Sequence, residues 1–239
     1  MKKINLHILI PTFAITYIFI NFTAYLPIAT AQTSNRNETI TKKRQRVTFK
    51  PANRGAPKKR IAAASRGGCP DTKQPLTALV PNKDINLTYS EYPKFWFYIP
   101  DLPTQARVGE FIVQDKQKND LYRTSITLPD KAGIINISLP DNSQNSLALN
   151  QSYRWYFKIY CEPQDTSVYF FVDGNIERVS PSNYSIENIW FDNLTDLAQK
   201  LRATPKNLTA RDEWAAFLKD GELTELSNEP LLDCCSLSK

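Results

Sequence analysis

Four cysteines, a single histidine and a set of carboxylates lying among aromatic runs are the side chains of this 239-residue sequence with most chemistry to offer. Cys69 and Cys161 are natural disulfide partners in an oxidising compartment. Cys161 falls on the inward face of an aromatic strand, and Cys69 opens the body that follows a basic leader. Closing a loop of that length withdraws about 4–5 kcal/mol of entropy from the unfolded chain. Cys234 and Cys235 are neighbours, and a bridge between neighbours would be strained, so the expectation for them is pairing with another chain or no role. An adjacent pair without any C-x-x-C spacing does not present four thiolates to a tetrahedral ion, so no metal is expected. His7 lies in a leader expected to be removed. A mature chain without imidazole has no Ser-His-Asp or Cys-His mechanism, no histidine-ligated metal and no histidine pH switch.

The remaining catalytic signatures are sparse. With seven glycines there is no G-x-G-x-x-G, no phosphate loop and no G-x-S-x-G elbow, so no cofactor is expected. Ser236 to Lys239 matches S-x-x-K by letter only, at the last residues of the chain. Two carboxylate pairs stand out: Asp173 and Glu177 about Gly174, and Glu110 and Asp115 along one strand and its turn. A pair facing across a cleft performs glycosidase chemistry, which makes a carboxylate-dependent hydrolase of envelope or extracellular glycans the rival to a binding protein. Arg154, Glu177 and Arg178 stand among aromatics. They read either as a Glu–Arg pair fixing strand register or as cations that meet a ligand over aromatic rings. Trp96, Tyr98, Tyr156 and Tyr160, expected on outer strand faces, form a stacking platform for glycans or peptides unless the C-terminal helices cover them.

The elements that must position these residues are mostly strands. Short β-branched and aromatic runs punctuated by proline fall at Leu76 to Val80, Ile85 to Tyr89, Lys94 to Ile99, Val108 to Gln114, Leu121 to Leu128, Gly133 to Leu139, Tyr153 to Cys161 and Val168 to Val172. Alternation puts Tyr153, Trp155, Phe157, Ile159 and Cys161 on the core face of one strand, with Arg154, Tyr156, Lys158 and Tyr160 opposite. Phe95, Phe97 and Ile99 point inward in another. No helical pattern alternates with the strands, so the expected fold is mainly β with C-terminal α: an antiparallel, Ig-like β-sandwich followed by a helical hairpin. The helices are read from the three-and-four spacing of Ile186, Ile189, Trp190, Leu194, Leu197, Ala198 and Leu201, stopped by Pro205. A second helix runs from a Thr209 N-cap with Asp212 to Gly221. Their apolar faces are expected to pack on the sandwich.

Lys2 and Lys3, an apolar stretch from Ile4 and Ala29-Thr30-Ala31 have the form of a cleaved export signal, residues 1–31. Retention as an anchor is the other reading, though Asn5, Pro11, Thr12, Thr16 and Asn21 dilute the run. Residues 32–68 hold eleven Lys or Arg against Glu38 alone, whereas residues 69–239 hold 17 basic and 23 acidic residues. The +6 net charge therefore belongs to a polar segment read as a disordered basic linker, ahead of a mildly acidic body. That linker can attract anionic surfaces, with Val47 and Phe49 as a docking point. The expected domains are a β-sandwich over 69–180 and a helical appendage over 181–239.

Several segments taken in order resemble a cyanobacterial exported family known only as domain of unknown function 928. They are Arg66 to Pro70, Leu76 to Pro81, Pro93 to Pro100, Tyr153 to Phe157 with Cys161, and Gly174 to Val179. The resemblance spans residue 66 to the second helix, and the Cys234-Cys235 ending falls outside it. It implies no activity. It does imply an exported protein in which Asn86, Asn136 and Asn193 are not glycosylation sites, and in which Trp190 and Trp214 belong to the domain.

The expectation is thus an exported, non-catalytic binding or structural protein, periplasmic or at the cell surface. Its expected partner is an envelope polymer or a protein, with no nucleic acid and no transmembrane helix once the signal is cleaved. A purely architectural role, with Cys234 or Cys235 linking to a partner, is the third reading.

Overall fold

The computed structural model describes residues 47–49, 59–64, 69–82, 86–162 and 164–237. The export signal and most of the basic segment lie outside the described residues. Ten strands follow in order: β1 (Lys59–Ala64), β2 (Thr77–Ala78), β3 (Asn86–Thr88), β4 (Lys94–Ile99), β5 (Val108–Gln114), β6 (Asp120–Thr127), β7 (Gly133–Ser138), β8 (Ser152–Glu162), β9 (Asp165–Arg178) and, after two helices, β10 (Ser236–Leu237). The helices are α1 (Trp190–Ala203) and α2 (Leu208–Asp220).

Two sheets form a sandwich, as the alternating apolar runs require. The first has the order β10-β6-β5-β8-β9-β1 and the second β1-β2-β4-β7. Almost all pairing is antiparallel; β3 alone lies parallel to β9. Between the sheets, Phe95 and Phe97 of β4 meet Phe111 of β5 and Trp155 and Phe157 of β8. Ring centroids are 4.9 Å apart for Phe95–Phe111 and 4.5 Å for Phe97–Phe157. Tilted aromatic packing of this kind adds to the gain from burying large rings.

Three expectations need correcting. Lys59–Ala64, assigned to the disordered linker, is a strand. It pairs with β9 through Lys59, Ala63 and Ala64 and with β2 through Ile61, across a register shift, and so joins the two sheets. Five uncharged residues, Ile61 to Ser65, were hidden by the flanking basic run. Second, β9 continues far beyond Val172. The strand runs on through Asp173 to Arg178, and Gly174 lies opposite Trp155 in the ladder, where a Cβ would run into the indole. Glycine here makes room for a core tryptophan, a close approach and not a turn. Third, α1 begins at Trp190: Ile189 stays extended to bridge Leu87, after a 3-10 turn over Ile186–Asn188. The α2 N-cap is Asn207, whose side chain accepts from the Ala210 N–H at 3.1 Å, so Thr209 lies inside the helix.

The Cys69–Cys161 disulfide forms as expected, with Cα atoms 5.1 Å apart. Cys234 and Cys235, for which another chain or no role was expected, have their side chains against each other, as neighbours in sequence. Helix α1 packs on sheet two, where the Trp96 indole N–H donates to Thr195 Oγ1 at 3.0 Å. Trp190 stacks on Phe217 of α2 at 4.5 Å, and its N–H donates to the Leu79 carbonyl at 2.6 Å. Phe49 closes this aromatic cluster edge-on to Trp190 at 4.8 Å, so the suggested docking point of the basic segment is the chain's own core. Arg60 holds β1 to the end of α2, donating to the Gly221 and Glu222 carbonyls at 2.9 and 2.8 Å.

Candidate functional site

The residues nominated from sequence scatter once folded. On the outer face of sheet one, Arg154 donates through Nε to Asp173 at 3.1 Å and lies 4.8 Å over the Tyr156 ring. The arginine is therefore paired, but with Asp173 and not with Glu177, which accepts from Ser152 Oγ at 2.8 Å. Arg178 leaves this face altogether, donating to the Leu147 carbonyl at 2.9 Å and to Glu91 at 2.6 Å. Trp96 and Tyr98 are 2% and 5% exposed, because α1 and the C-terminal segment cover β4. The proposed stacking platform loses both, as the sequence reading allowed if the helices lay on that face. Tyr156 and Tyr160 keep their outward, half-buried positions.

The carboxylate pairs are each consumed locally. Asp173, 2% exposed, is held by Arg154 and lies on the same strand face as Glu177, with no cleft between them. Glu110 takes Arg123 at 2.6 Å and the Tyr160 hydroxyl at 3.1 Å. Burial, and secondarily the neighbouring Glu110 carboxylate, push the Tyr160 hydroxyl up to about 12. Asp115 accepts the Gln117 and Asn119 N–H groups in its turn. Among the described residues no three His, Cys, Asp or Glu side chains converge as a metal site would need.

A third pair was not nominated from sequence. Asp192 and Asp196, one turn apart on α1, line a recess of about 220 Å³ with Thr88 and Lys94. Asp192 accepts the Thr88 hydroxyl at 2.7 Å and the Tyr89 N–H at 3.3 Å. Burial raises its carboxyl above the usual range against those bonds, with Asp196 adding a smaller push. Its four-residue spacing was the available signal, but acids on the polar side of a helix carry that spacing everywhere.

A larger concavity, about 750 Å³, lies elsewhere, between the end of α1, the start of α2 and the segment 227–233. Each wall has a local cause. Pro205 ends α1 and Asn207 restarts the chain as α2, so the two helix ends splay around the turn. The third wall is tied down by β7: the Ile134 N–H donates to the Pro230 carbonyl and the Leu232 N–H to the Ile134 carbonyl, both at 2.8 Å. Gly133 permits this, since a Cβ there would sit 2.7 Å from the Pro230 carbonyl.

Inside the groove, Arg202 donates through Nη2 to the Leu232 carbonyl at 2.5 Å, and its guanidinium lies 5.4 Å over the Trp96 ring. Its Nε–H is buried and has no acceptor. Trp214, also lining the groove, is 1% exposed and has an Nε1–H equally without an acceptor. Both groups only donate. A buried donor left unpaired costs roughly 1–3 kcal/mol; Trp155 Nε1 and the Asn86 amide are others among the described residues, and none of these atoms is open to solvent. Asp212, Glu229 and Asp233 on the rim form no ion pair among the described residues, and Leu208, 72% exposed, supplies an apolar lip. The arrangement holds no nucleophile with an adjacent base; what it can do is hydrogen-bond and pack.

A two-sheet β sandwich carrying a helical hairpin, grooved where that hairpin meets the chain's last turn, is the class these features define. The family model for a domain of unknown function, DUF928, matches residues 61–187 and 182–231, and the chain belongs to that family. The match begins inside β1 and so takes in the strand that joins the sheets. No curated protein and no solved structure matches the chain.

Proposed function

We propose that this chain is an exported, non-catalytic binding protein of the cell envelope, cyanobacterial in origin, that takes its ligand in the groove between α1, α2 and residues 227–233. One observation carries the reading: a groove of about 750 Å³ opens between the two helix ends and residues 227–233, with charged side chains set beside the exposed Leu208. The signal-like start and the Cys69–Cys161 link support placement outside the reducing cytosol. The basic segment then adds reach toward anionic envelope components. The test uses Ala215→Trp, which fills the groove from the α2 wall. Immobilised wild-type protein should retain material from an envelope extract that the variant, at unchanged Tm, does not retain. Equal retention by both would remove the groove from the mechanism.

A second reading has its own observation. The raised Asp192 carboxyl beside Asp196 in a recess resembles the unlike pair that two-carboxylate hydrolysis requires. Binding stands ahead because Asp192 is already committed to Thr88 and Tyr89. Release of reducing ends from envelope glycans by wild type, lost in Asp196→Asn, would reverse that order.

A further inference from the structure

Two stretches far apart in sequence carry opposite charge, and Phe49 anchors one of them on the helix that carries the other. Residues 32–46 hold five Lys or Arg against Glu38 alone, and residues 208–233 hold seven Asp or Glu against Arg211 and Lys219. The basic residues concentrate at Lys42, Lys43, Arg44 and Arg46, just ahead of Phe49, whose ring lies 6.3 Å from that of Phe217 on α2. Val47 is 36% exposed, so the chain comes to the surface two residues before that anchor. The same helix builds one wall of the groove, from Leu208 to Ala215. Phe217 back to Leu208 is about 14 Å of helix at 1.5 Å per residue. The stretch between Phe49 and the four cations spans up to roughly 10–24 Å when extended, so the segment is long enough to reach every part of that wall.

Inside the groove the two signs are not equivalent. Arg211 donates through Nε to the Pro205 carbonyl at 2.8 Å and Arg202 donates to the Leu232 carbonyl, so both guanidinium groups are engaged by the groove's own walls. Asp212 and Asp233 are exposed and Glu229 is half-buried, so an incoming cation meets them at the rim without a large desolvation cost. Ion pairs of this kind are individually weak and screened by salt. Tethering offsets the weakness, because a short flexible linker holds a segment at a local concentration on the order of millimolar.

We infer that the chain's own basic segment, residues 32–46, lies in this groove and must leave it for a ligand to enter, with Lys42, Lys43 and Arg44 against Asp212, Glu229 and Asp233. The inference rests on the groove being the binding site, and it makes the segment an internal competitor there. An anionic surface competes with the rim for the same cations and so frees the groove.

The experiment treats the protein, basic segment included, with a carbodiimide that joins lysine amines to carboxylates in direct contact, and maps the links by mass spectrometry. Lys42 and Lys43 are expected to link to Asp212, Glu229 or Asp233, and the links to disappear in about 1 M salt, where the screening length is near 3 Å. A second measurement titrates a peptide of residues 32–46 calorimetrically into the same protein. The Lys42→Glu/Lys43→Glu/Arg44→Glu variant, whose own segment no longer docks, is expected to bind the peptide about tenfold tighter than wild type does. Adding Asp212→Asn/Glu229→Gln/Asp233→Asn to that variant should abolish the binding at unchanged Tm. Links to carboxylates outside the groove only, or equal affinity of wild type and the charge-reversed variant for the peptide, would overturn the segment's place in the groove. Links between isotope-labelled and unlabelled chains in a mixture would overturn the in-chain assignment and put a second copy's segment there. Envelope material retained by wild type and not by Ala215→Trp, without any groove link, would overturn this inference and keep the binding reading. Groove links without such retention would keep the docked segment and overturn the envelope ligand.

Discussion

At Asp192 two effects oppose each other, and their balance sets a pH dependence. Hydrogen bonds from Thr88 and Tyr89 favour the ionised carboxylate, while burial under α1 and β3 disfavours it more, so the carboxyl titrates above its ordinary value. A group whose folded pKa is raised contributes its stability fully below the unfolded value, near 3.9. That contribution is lost as pH rises through the folded pKa. At neutral pH, ionised Asp192 therefore costs stability relative to a neutral isostere. One oxygen, Oδ2, accepts both bonds, and an amide oxygen can do the same. Asp192→Asn should raise Tm at pH 7, with the gain shrinking toward zero as pH falls to 4 and below, read by thermal melts across pH. A lower Tm at pH 7 would mean that the ionised form is what the recess requires. Gly174 makes a different point at the same scale: it is legible as a glycine but not as a strand residue, because the reason for it is an indole 19 positions away in sequence and opposite it in the ladder.

Among the elements, β1 and the disulfide together decide how the chain enters the fold. β1 bridges the sheets, and the loop that follows it is tied at Cys69 to Cys161, 92 residues on, at the inward-facing end of β8. In the loop-entropy account a closure of that length is worth about 4–5 kcal/mol. The Cys69→Ala/Cys161→Ala protein should therefore unfold at a lower urea midpoint, with about 4 kcal/mol lost and Tm down by roughly 10 °C. An unchanged midpoint would show that the β1 pairing alone suffices to hold the entrance. The pairing of Cys161 was readable because alternation along Tyr153 to Cys161 fixed its face. The role of β1 was not, because six residues between Lys58 and Ser65 look like part of a charged tail until partners on two sheets are supplied.

For the whole molecule, the boundary between leader and body lies earlier than the charge pattern suggests. Phe49 packs in the Trp190–Phe217 cluster, Arg60 clamps the end of α2 and β1 joins the sheets. Deleting residues 32–46 should leave Tm within a few degrees of wild type while weakening salt-sensitive adsorption to anionic vesicles. Deleting 32–68 should give an aggregating protein without a cooperative melt, because it removes a strand and uncovers the aromatic cluster. Equal stability of the two truncations would show that β1 is dispensable to the fold.

Sequence alone determined the class of fold, the facing of the aromatic strands, the long disulfide and the two-helix ending. All of these follow from local periodicity, proline punctuation and the scarcity of cysteine. It left Arg154 open between an ion pair and a ligand contact, and did not offer Asp173 as its partner. Tertiary structure decided where function can sit. Trp96 and Tyr98 became core because α1 and the C-terminal segment, a hundred residues later, lie on them, and Arg202 and Trp214 line one groove because Pro205 and β7 set its walls. Burial and convergence are properties of packing between distant segments, and no period of two or 3.6 residues encodes which distant segment arrives.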